Sequence, residues 1–209
     1  MPVIALVGNK GGAGKTTLCI NLACGLQQRV STLLLDADPQ LSSLQWSEIA
    51  GDKGTLDVID AVDDVAGMVR EHRERYQCVV IDCPPAVQSG QTRQALACSD
   101  LAIIPVLPSP LDLWASTHVE QELEWARSVN PGLRALMVIN QLEPQTRLSR
   151  LVNDALAEIG LPVANTAIRR RMVYRNAMLQ GRSVLEAGSA ASQAAAEIEQ
   201  LVEEVMRLP

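Results

Sequence analysis

Short apolar runs alternate with longer stretches of helical period along the chain, and this alternation restricts the fold more than any other sequence feature. The apolar runs predict strands at residues 3–7, 32–35, 78–81, 101–106, 135–139 and, more weakly, 163–166. The stretches between and after them predict helices at residues 15–28, 62–76, 89–98, 113–129, 146–159, 173–180 and 189–208. Because such alternation is typical of β-α-β units, we expect an α/β fold whose mostly parallel, twisted sheet has helices on both faces.

The length and composition are those of one soluble domain. The chain has 209 residues, of which 47% are apolar and 20% charged, and this is enough to bury a core without disulfides or metals. We expect a single domain over residues 1–209, with most of its five cysteines as buried free thiols. No apolar stretch reaches the roughly 18 residues of a membrane span, and no basic leader precedes the first strand pattern. We therefore expect a cytoplasmic protein.

A glycine-rich segment joins the first predicted strand to the first predicted helix. Residues 8–17 read GNKGGAGKTT. Glycines let successive backbone N–H groups face one phosphate, and the helix N-terminus adds a partial positive charge. The predicted nucleotide-binding residues of this P-loop are Gly11, Gly12, Ala13, Gly14, Lys15, Thr16 and Thr17. Lys15 would neutralise the β- and γ-phosphates of ATP, and the Thr16 hydroxyl would bind Mg²⁺.

The general P-loop pattern G-x-x-x-x-G-K-[ST] would place a glycine at Asn9, so the match to it is imperfect. The segment does match the variant K-G-G-x-G-K-T-T, and in this it resembles the deviant P-loop of the ParA/MinD family of ATPases. The resemblance makes Lys10 the additional lysine of that family, which reaches the nucleotide of the other subunit. It therefore implies a homodimer that forms with ATP, in which Lys10, Lys15 and Asp38 serve catalysis.

Acidic residues follow the second and third predicted strands, in DADPQ from residue 36 and DCPP from residue 82. A carboxylate at the tip of a buried strand is tolerated when a cation lies opposite. In the ParA/MinD family these motifs are switch segments beside magnesium, and the resemblance implies a metal site of Thr16, Asp38 and Asp82. Asp38 would orient the attacking water, while Asp36 would organise the loop. Each aspartate could instead cap a helix.

The fifth predicted strand ends at Asn140. In proteins similar to the ParA/MinD family the residue at this place meets the adenine ring, so the resemblance implies that Asn140 binds nucleotide. An asparagine after a strand is also a common turn residue, and that alternative stays open.

Arginines cluster late in the chain. Residues 166–174 read TAIRRRMVY, which resembles the T-x-I-x-x-R-x-x-Y stretch of short ParA-type partition ATPases, and GRSV follows from residue 181. Clustered guanidinium groups bind phosphate oxygens without reading sequence. The predicted DNA-binding residues are Arg169, Arg170, Arg171, Arg175 and Arg182. The net charge of −6 argues against a wholly basic surface, and each arginine could instead solvate or pair with a glutamate.

The resemblance implies an ATPase of weak intrinsic activity that partitions or positions a cargo, which could be a plasmid, a chromosome or a protein compartment. Its expected partners are a second copy of the chain, nonspecific DNA of the nucleoid, and a cargo adaptor or centromere-binding protein that stimulates hydrolysis. The alternative is a MinD-like regulator of the division site on a membrane. The last predicted helix is acidic, so we expect no stable membrane binding. Metal-cluster relatives rank last, because the sequence has no C-x-x-C pair.

Overall fold

A computed structural model describes residues 1–143 and 160–208, with the backbone alone for residues 53 and 110–118. Six parallel strands form one sheet in the order β3-β2-β4-β1-β5-β6. The strands are β1 (Val3–Leu6), β2 (Thr32–Asp36), β3 (Asp57–Asp60), β4 (Cys78–Asp82), β5 (Leu101–Val106) and β6 (Arg134–Ile139). The described helices are α1 (Lys15–Gln27), α2 (Ser42–Ala50), α3 (Val65–His72), α4 (Gly90–Cys98), α5 (Pro110–Val129), α6 (Met172–Leu179) and α7 (Ser192–Arg207).

Helices cover both faces of the sheet, so the predicted fold class is confirmed. Along β1, Val3 and Ala5 face one hydrophobic core, and Ile4 and Leu6 face the other. The first core is closed by α3, α4 and α5, and the second by α1, α2, α6 and α7. Burial on both faces explains why the inner strands read as continuous apolar runs. None of the described helices is long and apolar enough to cross a membrane.

The prediction of a sixth strand at residues 163–166 is wrong. This segment forms a single parallel bridge between Val163 and Met137. The ladder stops there because the backbone N–H groups of Asn165 and Thr166 donate to the carboxylate of Glu204, at 2.7 and 3.2 Å. The N–H of Ala164 donates to Met137 of β6, so in a continued ladder the next donor to β6 would be Thr166, and the carboxylate from α7 takes that donor.

Two elements were missed by the sequence prediction, and one predicted helix is shorter than expected. β3 is an edge strand and α2 follows β2, and neither has a strong apolar pattern. The helix predicted at residues 62–76 spans only Val65–His72, because the Asp64 side chain caps it by accepting the N–H of Gly67 at 2.7 Å. The helix predicted at residues 146–159 lies outside the described residues.

Parallel pairing brings the carboxyl ends of the strands to one edge of the sheet. In register, Asp82 at the end of β4 lies beside Asp36 of β2 on one side and Leu6 of β1 on the other. The glycine-rich loop starts two residues after Leu6. The fold therefore places the phosphate loop and the two acidic segments side by side, where open α/β sheets bind ligands.

Candidate nucleotide and magnesium site

The glycine-rich loop has the backbone of an anion site. Gly12 and Gly14 adopt the left-handed region, with φ of +83° and +77°. Gly14 is the N-cap of α1 and has no side chain to cap the helix, and the first turn of α1 contains no acidic residue. The N–H groups at this helix end therefore lack a side-chain acceptor from the cap. A phosphate group would supply both the acceptors and the negative charge that this helix end favours.

Lys15 is the first residue of α1 and is buried, with only 7% of its surface exposed. Its stem lies along Gly8, where an added Cβ would come within 3.5 Å of Lys15 Cδ. Burial of an ammonium group is costly unless negative charge lies nearby. Asp82 at the end of β4 lies near enough to interact electrostatically with Lys15, and a bound phosphate would add further compensation.

Asp36 and Asp82 are both fully buried. Asp36 Oδ2 accepts the N–H groups of Ser43 and Leu44, at 2.8 and 3.0 Å, and its Oδ1 accepts the N–H of Asp38 at 3.2 Å. Asp82 Oδ2 accepts the Ser43 hydroxyl at 2.8 Å. Asp36 thus organises the start of α2, and Ser43 connects the two acidic strand ends.

Asp82 Oδ1 is buried and has no hydrogen-bond partner among the residues that the structure describes. The pKa of Asp82 is raised to about 7. Burial is the largest cause of the rise and repulsion from Asp36 adds to it, whereas hydrogen bonds from Ser43 and Thr16 and the charge of Lys15 oppose it. Burial also raises the pKa of Asp36. An orphaned carboxylate oxygen beside a threonine hydroxyl fits a hydrated magnesium ion, since such oxygen ligands are the ones Mg²⁺ prefers. The residues at this edge therefore fit both magnesium and a nucleotide.

We predict that Asp82→Asn stabilises the nucleotide-free protein at pH 8 by on the order of 1 to 3 kcal/mol. The pKa of Asp82 is higher in the folded chain than in the unfolded chain. Between pH 4 and about 7 the unfolded chain therefore loses this proton while the folded chain keeps it, and the free energy of unfolding falls as pH rises. Asparagine removes this penalty.

Denaturant unfolding of the wild type and Asp82→Asn at pH 8 and at about pH 2.5 measures the effect. The gain in unfolding free energy should vanish at the lower pH, which lies below the pKa of this carboxyl in both the unfolded and the folded chain, so that the wild-type carboxyl is protonated in both states. An equal difference at both pH values would show that the gain does not come from the buried charge.

Asp38 lies in the turn between β2 and α2. It is half-buried, its Oδ1 accepts the N–H of Gln40 at 3.0 Å, and its carbonyl accepts the N–H of Leu41 at 2.8 Å. Leu41 has a φ of +51°, an uncommon conformation for leucine. Lys10 lies exposed in the phosphate loop. Of the side chains predicted for catalysis, Asp38 and Lys10 thus lie on loops at the ligand-binding edge, and Lys15 begins α1.

Ser43 is one of the site residues that the sequence prediction missed. Its side chain is fully buried, although Ser42 before it is exposed. The available signal was a pair of serines just after the DADPQ motif, where a helix can begin with a serine near its first turn. Because only Ser43 and Trp46 of α2 are buried, the helix has no apolar stripe to reinforce this signal.

The amides of Asn140 and Gln141 brace the phosphate loop from the end of β6. Asn140 Nδ2 donates to the carbonyl of Ala13 at 2.7 Å, and Gln141 Nε2 donates to the carbonyl of Gly12 at 2.9 Å. An added Cβ at Gly14 would lie only 2.7 Å from Asn140 Nδ2. Asn140 therefore lies at the loop, where its amide nitrogen holds the backbone, and Gln141 is a second brace that the sequence prediction did not include.

A groove of about 700 Å³ extends from the phosphate loop between α2 and α6. Arg169, Arg170, Arg171 and Arg175 line it. Arg170 pairs with Glu143 at 2.7 Å, while Arg171 and Arg169 pair with Glu197 at 2.8 and 3.8 Å. Arg175 and Arg182 are exposed, and among the described side chains neither has an ion pair.

The described residues contain no cluster of three or more histidine, cysteine, aspartate or glutamate side chains that could hold a metal ion. Cys19, Cys24, Cys78 and Cys83 are buried free thiols, and Cys98 is half-buried. A magnesium ion at this site would therefore depend on ligands besides protein carboxylates, such as hydroxyl groups, water and phosphate oxygens.

Comparison with known proteins agrees with this geometry. Residues 4–184 match the family model of the CobQ/CobB/MinD/ParA nucleotide binding domain. The chain is 40% identical over 207 residues to Maintenance of carboxysome distribution protein A of Halothiobacillus neapolitanus. The aligned residues cover 97% of this chain and 95% of that protein. It is 32% identical over 213 residues to the protein of the same name from Gloeobacter kilaueensis, with 98% and 94% covered.

Among solved structures, the ATP complex of Cyanothece McdA has the same fold. The two structures superpose with a TM-score of 0.80 at 18% sequence identity, over 99% of this chain and 96% of that one. The matched family model covers most of this chain and includes its phosphate loop and both acidic segments. The chain therefore belongs to the CobQ/CobB/MinD/ParA nucleotide-binding family, as a ParA-type P-loop protein.

Proposed function

We propose that this protein is an ATP-hydrolysing switch that positions a protein compartment, the carboxysome, along the nucleoid. The observation that carries the proposal is the phosphate loop, whose helix has no side-chain cap. It lies beside the buried Asp82 carboxylate, whose Oδ1 has no partner within the described part of the chain. The cargo is proposed from the names of the two relatives with 40% and 32% identity.

In the proposed site, ATP phosphates bind the backbone and side chains of residues 11–17, and the nucleoside lies toward Asn140. Thr16, Asp38 and Asp82 hold magnesium, either directly or through water. The ion supplies positive charge against the phosphates. Lys15 adds a second positive charge at the phosphates, and Asp38 orients the water that converts ATP to ADP and phosphate.

We propose that two chains associate around two ATP molecules, each Lys10 reaching the nucleotide of the other subunit. The exposed position of Lys10 in the loop supports this proposal. Lys10→Ala should leave ATP affinity within about 3-fold of the wild type and weaken ATP-dependent dimerisation at least about 10-fold, because a cross-subunit charge contact to phosphate is lost. Light scattering with ATP and Mg²⁺ measures the dimer. Equal dimerisation of the variant would refute the cross-subunit role.

We further propose that the ATP dimer binds nonspecific DNA through the late arginines. Arg175 and Arg182 carry most of this contact, because Arg169, Arg170 and Arg171 already pair with glutamates. A dimer presents each arginine twice, which compensates for the few exposed charges on one chain. Binding should then depend steeply on salt, since phosphate contacts release counterions.

A gel shift with nonspecific duplex DNA tests the proposed function. The protein should bind DNA at low salt with ATP and Mg²⁺, bind more weakly with ADP, and lose binding as salt rises. The MinD-like alternative predicts ATP-dependent binding to anionic vesicles and none to DNA. The composition of α7, which contains four glutamates and one arginine, favours DNA over an anionic membrane.

A further inference from the structure

α2 connects the proposed magnesium site to the proposed DNA-binding surface. At its first turn, the Ser43 hydroxyl donates to Asp82, and the Ser43 and Leu44 N–H groups donate to Asp36. The helix has nine residues and so is about 13 Å long. Its last residue, Ala50, lies against Gly181, just after the end of α6. One short, rigid element therefore contacts both sites.

The contact at Gly181 leaves no room for a side chain. A Cβ at this position would come within 2.6 Å of Ala50 Cα and 2.7 Å of the Ile49 carbonyl carbon, and closer still to the Ala50 nitrogen. Gly181 also has a φ of +62°, which suits glycine after a helix end. The backbones of α2 and the turn after α6 thus pack directly on each other.

Arg182, the next residue, is held from a second direction. Its N–H donates to the Ala177 carbonyl of α6 at 3.0 Å. Two residues later, the Val184 N–H donates to the buried Asn21 Oδ1 of α1 at 2.8 Å, and Asn21 Nδ2 donates to the Thr17 carbonyl at 2.7 Å. The backbone around Arg182 is therefore anchored to α2 on one side and to α1 on the other.

We propose that Arg182 is the DNA contact whose position depends on the nucleotide, and that the contact of α2 with Gly181 transmits the nucleotide state to it. This inference rests on the proposed function. Nucleotide and magnesium bind at Asp82 and Thr16, so they act on the first turn of α2 and of α1. Because both helices anchor the turn that carries Arg182, a shift of either one moves this guanidinium relative to Arg175 on α6. DNA phosphates then bind when the two arginines are correctly spaced.

The test measures affinity for a fluorescently labelled nonspecific duplex by anisotropy, with ATP or ADP and Mg²⁺. Arg182→Ala should weaken DNA binding with ATP at least about 10-fold. Arg170→Ala should weaken it less than about 3-fold, because the charge of Arg170 is paired with Glu143. Arg134→Ala is the charge-matched control, since Arg134 begins β6 at the opposite edge of the sheet. It should leave DNA affinity unchanged.

Gly181→Ala tests the coupling. The ratio of the DNA affinity with ATP to the DNA affinity with ADP should fall at least about 10-fold. The affinity for a fluorescent ATP analogue should change less than about 3-fold. Asn21→Ala should reduce the same ratio by removing the second anchor, and it serves if Gly181→Ala does not fold.

The outcomes separate this inference from the proposed function. If the wild-type protein does not bind DNA with ATP, the proposed DNA function is wrong. If the wild type binds DNA and the DNA affinity of Arg182→Ala equals that of Arg134→Ala, the assignment of Arg182 is wrong and the proposed function stands. If Gly181→Ala and Asn21→Ala both keep the wild-type ratio of affinities, α2 and α1 do not transmit the nucleotide state.

Discussion

Asp38→Ala should lower the rate of ATP hydrolysis at least about 100-fold, because a positioned carboxylate that orients water contributes roughly that factor or more. ATP affinity should stay within about 3-fold of the wild type, since the loop backbone and Lys15 remain. The variant should therefore accumulate as the ATP-bound dimer. Phosphate release gives the rate, and light scattering gives the proportion of dimer.

Asp52→Ala provides the matched control, because Asp52 is an exposed aspartate in the turn after α2 and lies outside the proposed site. Its hydrolysis rate should equal that of the wild type. Hydrolysis by Asp38→Ala at the wild-type rate would remove Asp38 from the mechanism. A loss of ATP binding in Asp38→Ala would instead make it a structural or metal-binding residue only.

Lys15→Ala should weaken ATP binding at least about 100-fold, equivalent to roughly 3 kcal/mol, because a buried cation that faces the phosphates is removed. Lys15 is almost completely buried, so water replaces its charge poorly. Calorimetric titration with ATP and Mg²⁺ measures the change. Lys10→Ala is the control from the same loop, and its affinity should remain near the wild-type value.

A wild-type affinity in Lys15→Ala would show that the phosphates bind elsewhere. A variant that fails to fold would be recognised by circular dichroism. The prediction for a folded variant is specific, since it should keep the secondary structure of the wild type and lose the nucleotide.

The parts of the fold that follow from local sequence were predicted well. The glycine-rich loop and the acidic strand ends lie within short motifs, and the sequence placed them after the strands where the structure has them. The parts that depend on distant contacts were not predictable in this way. Ser43 donates to Asp82, which is 39 residues away, and no local pattern shows that pair.

The missed elements have a common physical reason. In α2 only Ser43 and Trp46 are buried, so the helix lacks the apolar stripe that a sequence pattern would show. β3 begins and ends with the exposed residues Asp57 and Asp60, as suits an edge strand. Their positions are fixed by packing against β2 and by the hydrogen bonds to Asp36, which are tertiary contacts.

The late arginines show the same limit. The sequence left open whether each arginine binds DNA, solvates or pairs with a glutamate. Glu197 of α7 resolves part of this for Arg169 and Arg171, which lie 28 and 26 residues before it. Only the fold brings Glu197 to these arginines, so the sequence could not distinguish them from Arg175 and Arg182.

Calorimetric titration of the purified wild-type chain with ATP and with ADP, in the presence of Mg²⁺ and after its removal by a chelator, tests the proposed nucleotide site most directly. We expect one nucleotide per chain and tighter binding with Mg²⁺ than without it. Absence of saturable binding of both nucleotides with Mg²⁺ present would show that the phosphate loop and Asp82 do not form a nucleotide site.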